Sequence, residues 1–270
     1  MSQFFTTEKG DIPEVHPGFR LLTVKSNALG RRADITVFNP VEKAGSKSLP
    51  VVLLLHGVYG SHWAWALSGK AHLILLDMMQ KKQVEPMVLV MPSDGLYGDG
   101  SAYVPHNDAN YESWIVRDVL DAVRENVEGV SKASPVFITG LSMGGYGALR
   151  LGAKYPSVFK AFSGMSSITG FEQMKIFVQD YSSLYASATE HYDVIDLMLK
   201  NRERLSPFRF DCGSEDVLIA HNRQLHHELL SNKIPHEYQE HTGGHSWQYW
   251  QDHLPENLLF FQSVLTGTAG

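Results

Sequence analysis

The run ITGLSMGGYGALR, residues 138–150, sets one serine among four glycines. In the pattern Gly140-Leu141-Ser142-Met143-Gly144 a β-strand is expected to turn sharply into a helix, so that the Ser142 hydroxyl projects where a base can reach it. Gly140 and Gly144 let neighbouring backbone pass close to a strained turn, and Gly145 and Gly147 let the following helix pack tightly on the strands. The same turn puts the Met143 amide at a helix N-terminus, pointing where negative charge would develop on a substrate oxygen. The chemistry that suits such an arrangement is nucleophilic acyl transfer. A serine hydroxyl is a weak nucleophile at neutral pH, so it needs an adjacent histidine that is itself oriented by a carboxylate.

Of the 13 histidines, His245 is the candidate base, because HTGGHSWQYW places it in a glycine-flanked loop just after a strand-like HEYQEH. His226 and His227 lie in the helical NRQLHHELL, and His16, His191 and His253 sit in polar contexts that ask for no special role. His241 and His245 have the spacing of a helical zinc pair, but Gly243 and Gly244 between them disfavour a helix and no HExxH occurs, so no metal site is expected. For the acid, FRFDCGSEDVL offers Asp211, Glu215 and Asp216. Asp216 is the choice: Asp211 ends a strand, where it reads as a cap on nearby backbone amides, and Glu215 should point away from its neighbour. A second amide donor is expected after VVLLLHG, from Val58 or the adjacent Gly57, with His56 orienting the loop by hydrogen bonding. Trp63, Trp65, Trp247 and Trp250 lie near these segments in sequence, and Tyr59, Trp63 and Trp247 are the candidate substrate contacts.

These residues must be carried by elements, and the chain supplies them by alternating strand-length apolar runs with longer helix-period segments. FRLLTVKSNALGRRADITVFNP reads as two strands around an NALG turn, followed by a polar loop, EKAGSKSLP. VVLLLHG and MVLVMPSDG are nearly all apolar, as expected for central strands buried on both faces, and PVFITG reads as the next buried strand. FKAFSGMSS and FRFDCG read as two more strands. A helix is expected over 66–82, and YESWIVRDVLDAVREN puts Tyr111, Trp114, Ile115, Val119, Ala122 and Val123 on one helical face. The pattern is that of an α/β fold in one domain, with a mostly parallel central sheet flanked by helices. A helix-compatible insertion at about 167–205 either covers part of the site or packs as extra helices at the sheet edge; the sequence does not decide which.

The chain has 270 residues and a formal net charge of −6, with no basic tract to meet a phosphate backbone or an anionic membrane surface. A nucleic-acid partner and a membrane anchor are not expected, a homo-oligomer is left open, and a small uncharged or weakly charged substrate is favoured. Cys212 is the single cysteine, so no internal disulfide forms, and it reads as a small buried residue near a strand end. The N-terminal residues lack a secretory h-region and no run reaches membrane-span length, which points to a cytoplasmic protein.

Taken together, LLLHGVYGSHWAW, VMPSDG, YESWIVRDV, GLSMGGYGALRLGAKYP, DCGSED and GGHSWQYW resemble the esterase D-like branch of the α/β-hydrolases over residues 51–254. That branch includes tributyrin esterases, S-formylglutathione hydrolases, carbohydrate-ester and feruloyl esterases, and mycolyltransferases. The resemblance implies an α/β-hydrolase fold, Ser142 as nucleophile, Asp216 and His245 as its triad partners in the chain order of that fold, Val58 and Met143 as amide donors, and no cofactor. It implies a serine carboxylesterase acting on short-chain esters through an acyl-enzyme. S-formylglutathione hydrolases carry a GLTC-type run where this chain reads GVYG, and DHSYFF where it reads GGHSWQYW, which favours the tributyrin and carbohydrate-ester side. Thioester hydrolysis, feruloyl or carbohydrate esterase activity, and acyl transfer to an alcohol all use the same triad. A catalytically inert binding module would lack a triad member, and none is missing.

Overall fold

The structure is a computed structural model and describes residues 7–10, 17–41 and 48–268. His16, most of the N-terminal run read for a targeting signal, and residues 42–47 of the expected polar loop lie outside them.

One nine-stranded sheet runs through the molecule in the order β1-β2-β3-β5-β4-β6-β7-β8-β9. Its strands are β1 Thr7–Gly10, β2 Phe19–Lys25, β3 Arg32–Phe38, β4 Val51–Leu55 and β5 Val88–Pro92. They continue with β6 Val136–Gly140, β7 Ala161–Met165, β8 Phe208–Gly213 and β9 Glu237–His241. The pairings β1–β2, β2–β3 and β3–β5 are antiparallel, and every pairing from β5 through β9 is parallel. β2 and β3 are the two strands expected around NALG, whose turn closes with Ser26 N donating to Arg31 O at 2.9 Å and Gly30 N to Ser26 O at 3.0 Å. β1 was not foreseen from the sequence.

Why the central strands lack polar alternation is visible in their packing. Val51, Leu53 and Leu55 face one apolar core while Val52 and Leu54 face the other, and β5 divides in the same way. Both faces are covered, so both side-chain sets must be apolar. The first face packs on α3 Tyr111–Ser113, a π-helical stretch Trp114–Val119, α4 Leu120–Asn126, α5 Met143–Lys154, α7 Val194–Lys200 and α8 Ile219–Ser231. The second packs on α1 Ala64–Leu67, α2 Ala71–Gln80 and α9 Trp247–Thr266. The expected face Tyr111, Trp114, Ile115, Val119, Ala122 and Val123 is fully buried, but π-helical winding in mid-segment also buries Val116 and Asp118. The single helix expected over 66–82 is instead two, α1 and α2, because Lys70 turns left-handed at φ 51°. Gly69 lies at the break, where a Cβ would come within 2.7 Å of Trp65 and 3.0 Å of Trp247.

Between β7 and β8 the inserted segment forms short pieces: 3₁₀ turns at Phe171–Ile176, Tyr185–Ser187 and Arg202–Arg204, with α6 Tyr181–Leu184 and α7 between them. Among the described residues no helix is long and apolar enough to cross a membrane. Parallel strands put the segments that follow β4, β6, β8 and β9 at one edge of the sheet, where α/β folds place their sites.

Candidate active site

Ser142 joins β6 to α5 with φ 55° and ψ −118°, a conformation that costs a non-glycine residue about 1–3 kcal/mol. The surroundings hold it there. Its amide donates to Met165 O at 3.0 Å, and its carbonyl accepts from Tyr146 N at 3.0 Å and Ile168 N at 3.2 Å. A Cβ on Gly144 would lie 2.2 Å from Leu55 O, and one on Gly140 2.3 Å from Gly144 O, so any side chain would force strand and helix apart.

The segments after β8 and β9 are stitched to each other. Ser214 N donates to His241 O at 2.8 Å and Glu215 N to Gly243 O at 2.9 Å. This brings Asp216 and His245 into register. His245 Nδ1 lies 2.9 Å from Asp216 Oδ2 and 3.1 Å from Oδ1, and His245 Nε2 lies 3.0 Å from Ser142 Oγ. Leu218 N donates to Asp216 Oδ1 at 2.8 Å. Burial alone would raise the Asp216 pKa, but the hydrogen bond and charge of His245, with the Leu218 amide, hold it below its ordinary value. An ionised Asp216 accepts from Nδ1–H, which leaves Nε2 as the acceptor for the serine proton. Of the competing carboxylates, Glu215 is exposed. Asp211 is buried, and it accepts from the Tyr249 hydroxyl at 2.9 Å and Arg209 at 3.2 Å. The expected backbone cap is therefore replaced by side-chain partners, because Asp211 faces α9 and its neighbour Arg209.

The loop after β4 approaches from the other side, where a Cβ on Gly57 would stand 3.3 Å from Ser142 Cβ. His56 fixes this loop. Its Nε2 accepts from Asp94 N at 3.0 Å, so Nδ1 carries the proton and donates to Gly57 O at 2.7 Å. Tyr103 donates to His56 O at 2.9 Å, and Tyr59 N to Asp99 O at 2.8 Å. Among the described residues the amides of Gly57, Val58 and Met143 have no backbone acceptor. They are free to donate to a ligand.

A cavity of about 330 Å³ opens over Ser142 and His245 and is lined by Val58, Tyr59, Trp63, Phe177, Trp247 and Trp250. Phe177 stacks on the His245 ring at 5.1 Å between centroids, and Trp250 meets the same ring edge-on at 5.0 Å. Tyr59 and Trp63 are exposed at the mouth, whereas Trp65 is core, donating to Leu55 O at 2.9 Å. Phe177 comes from the insertion, whose cover over the site was undecided from sequence, and no local motif marks it. The Tyr59 hydroxyl donates to Phe177 O, tying the loop after β4 to the insertion. Asp94, which anchors His56 and accepts from Ser101 N at 2.6 Å, was likewise not singled out; its place in VMPSDG just after β5 was the available signal.

The family model described as "Putative esterase" matches residues 26–261. The chain belongs to this esterase family. The esterase is 27% identical to an acetyl esterase from Caldicellulosiruptor saccharolyticus, over 88% of its own length and 96% of that protein. It is 24% identical to an esterase from Mycobacterium tuberculosis, over 82% of its own length and 54% of the relative's. Among solved structures it superposes on a ferulic acid esterase with a TM-score of 0.81 at 23% identity, covering 97% and 99% of the two chains. It also superposes on the S-formylglutathione hydrolase of Staphylococcus aureus with a TM-score of 0.76 at 18% identity, covering 90% and 97%. These likenesses show an α/β-hydrolase fold. The esterase is a carboxylic ester hydrolase, and its substrates are small-molecule esters.

Proposed function

We propose that the enzyme cleaves short-chain carboxylic esters with Ser142 as nucleophile, His245 as general base and acid, and Asp216 as the orienting carboxylate. The observation that carries this reading is the unbroken contact from Ser142 Oγ through both His245 nitrogens to Asp216. Ser142 Oγ attacks the ester carbonyl while His245 Nε2 takes its proton. The developing oxyanion accepts hydrogen bonds from the Met143 and Val58 amides, with Gly57 the neighbouring donor. Collapse breaks the bond to the alcohol, which leaves with the proton from His245 Nε2, and water then attacks the acyl-enzyme by the same steps in reverse. Tyr59, Trp63 and Trp247 bind substrate at the walls of the cavity.

A cavity of about 330 Å³, roofed by Phe177 and walled by Trp250, suits a small acyl group. The aromatic walls favour a second reading, an aromatic acyl group such as a cinnamic-type ester. Chromogenic esters of increasing acyl length, run beside feruloyl and acetylated-sugar esters and a glutathione thioester, decide between them by kcat/KM. Faster turnover of ten-carbon acyl chains than of acetate or butyrate, below the aggregation limit, would sink the short-chain reading.

A further inference from the structure

His241 ends β9, and His253 and Glu256 share one face of α9. These residues bracket the loop 242–246 in sequence, and the proposed ester chemistry uses none of them. His241 Nε2 stands 3.1 Å from Glu256 Oε2, and His253 Nδ1 stands 3.1 Å from Glu256 Oε1. All three candidate ligand atoms lie within 4.8 Å of one another. The imidazoles lie nearly parallel, 3.9 Å apart and inclined by 16°.

We propose that His241, His253 and Glu256 form a binding site for one divalent first-row transition cation, with zinc as its probe. Nitrogen and oxygen ligands held about 2.0–2.1 Å from one ion, at tetrahedral or octahedral angles, stand about 2.9–3.4 Å apart. Each imidazole nitrogen stands at such a separation from one Glu256 oxygen, His241 Nε2 from Oε2 and His253 Nδ1 from Oε1, a spacing that suits a carboxylate presenting both oxygens to the ion. The remaining His–His edge is no longer than 4.8 Å, and side-chain rotation that splays the stacked rings must close it and turn both in-plane lone pairs toward the ion. Direction matters as much as distance. The His241 Nε2 atom is buried and makes no aligned hydrogen bond, even though Glu256 Oε2 is 3.1 Å away. Two ligands that point at a shared third atom have this relation at His241, while His253 Nδ1 keeps an aligned hydrogen bond to Glu256 Oε1 that the ion would replace.

The donor set selects the ion. Two imidazoles and one carboxylate suit zinc, copper, nickel or cobalt, while magnesium and calcium favour oxygen ligands. The side chains of His241, His253 and Glu256 are 24%, 16% and 33% exposed, so solvent can complete the coordination. Arg209 is the group that opposes a cation, with NH2 3.1 Å from Glu256 Oε2. Its charge is met on the other nitrogen by Asp211 at 3.2 Å, and its NH2 also donates to Gln239 at 2.7 Å. Arg209 thus acts as an outer-shell donor that fixes the carboxylate. A bound ion would tie the end of β9 to α9 and so clamp the loop that carries His245.

The full-length enzyme, stripped with a chelator and titrated with zinc sulfate alone, tests this by calorimetry and thermal unfolding. Wild type and Ser142→Ala should each take up one equivalent, with the thermal midpoint raised by several degrees at saturation through mass action. His253→Ala and Glu256→Gln should each weaken uptake by more than the ~10–100-fold that loss of an outer-shell partner costs. His253→Gln serves if the alanine variant is less folded by circular dichroism. Magnesium should give neither heat nor stabilisation. Absence of saturable zinc uptake by wild type overturns the proposal, as does full uptake by both the His253 and Glu256 variants, or uptake that is lost only on replacing His245.

Discussion

The strand-to-helix turn at 140–144 and the insertion at 167–205 meet over one cavity, but they are held in opposite ways. Every residue of α5 from Met143 to Ala153 is buried, and the turn is locked by backbone bonds to β4, β7 and the residues beyond β7. The insertion buries Phe171, Met174, Tyr185, Val194 and Met198 in the core but has no buried residue in α6, and polar contacts fasten its base. Tyr146 donates to Tyr192 O at 2.7 Å, and Glu190 meets Arg150 at 3.2 Å and Lys154 at 2.7 Å. Arg150, wholly buried, is matched in turn by Glu112 at 2.6 Å. From that base the insertion lays one ring, Phe177, on His245. An over-determined scaffold can hold a strained nucleophile, whereas a segment anchored in the core only at intervals, with exposed stretches between, can shape access without carrying the chemistry.

If that division holds, substitutions should rank by which side they touch. Ser142→Ala should lower kcat by about 10⁶ and abolish labelling by a fluorophosphonate while the fold persists. A folded variant that keeps a tenth of the activity would remove Ser142 from the mechanism.

Asp216→Asn preserves shape but favours the wrong His245 tautomer, so kcat should fall by about 10⁴. It should also change the acid limb of stability. The Asp216 pKa lies below its unfolded value, so its contribution is complete above about pH 4 and is lost as pH falls through the lower folded value. Wild type should therefore lose more stability than Asp216→Asn across that acid range in thermal scans; parallel curves contradict the assignment.

Asp211→Asn tests the neighbouring scaffold. It breaks a buried pair with Arg209, so unfolding free energy should drop by about 3 kcal/mol while kcat stays near wild type. Denaturant titration beside steady-state kinetics separates the two carboxylates, and exposed Glu215→Gln is expected to be silent in both. If Asp211→Asn loses the activity instead, Asp216 is not the triad acid.

On the insertion side the effects should be smaller and should appear in KM. Phe177→Ala removes one aromatic contact worth about 1 kcal/mol, giving a KM several-fold higher with kcat and the thermal midpoint little changed. Tyr59→Phe removes only the bond to Phe177 O and should shift KM by a few-fold at most, since a net hydrogen bond contributes about 1 kcal/mol. A collapse of kcat in either variant would mean that the insertion positions His245 rather than shaping access.

The sequence by itself determined the features that follow local rules. Apolar runs marked the buried strands, and the glycines around Ser142 marked a turn where backbone must touch backbone. His245 and Asp216 could be singled out because each lies in a short loop directly after a strand of a parallel sheet, and such loops gather at one edge. Only the tertiary structure decided the rest. Lys70 breaks an otherwise helical run where Gly69 must pass Trp65 and Trp247, which periodicity does not register. Asp211 and Asp216 are near neighbours in sequence, yet one binds Arg209 and Tyr249 and the other His245, because a strand and the turn after it face different partners. Phe177, and the meeting of His241 with His253 and Glu256, join residues far apart or on different elements. Their contacts depend on how the insertion and α9 pack, and side-chain packing between elements leaves no signature at any fixed spacing along the chain.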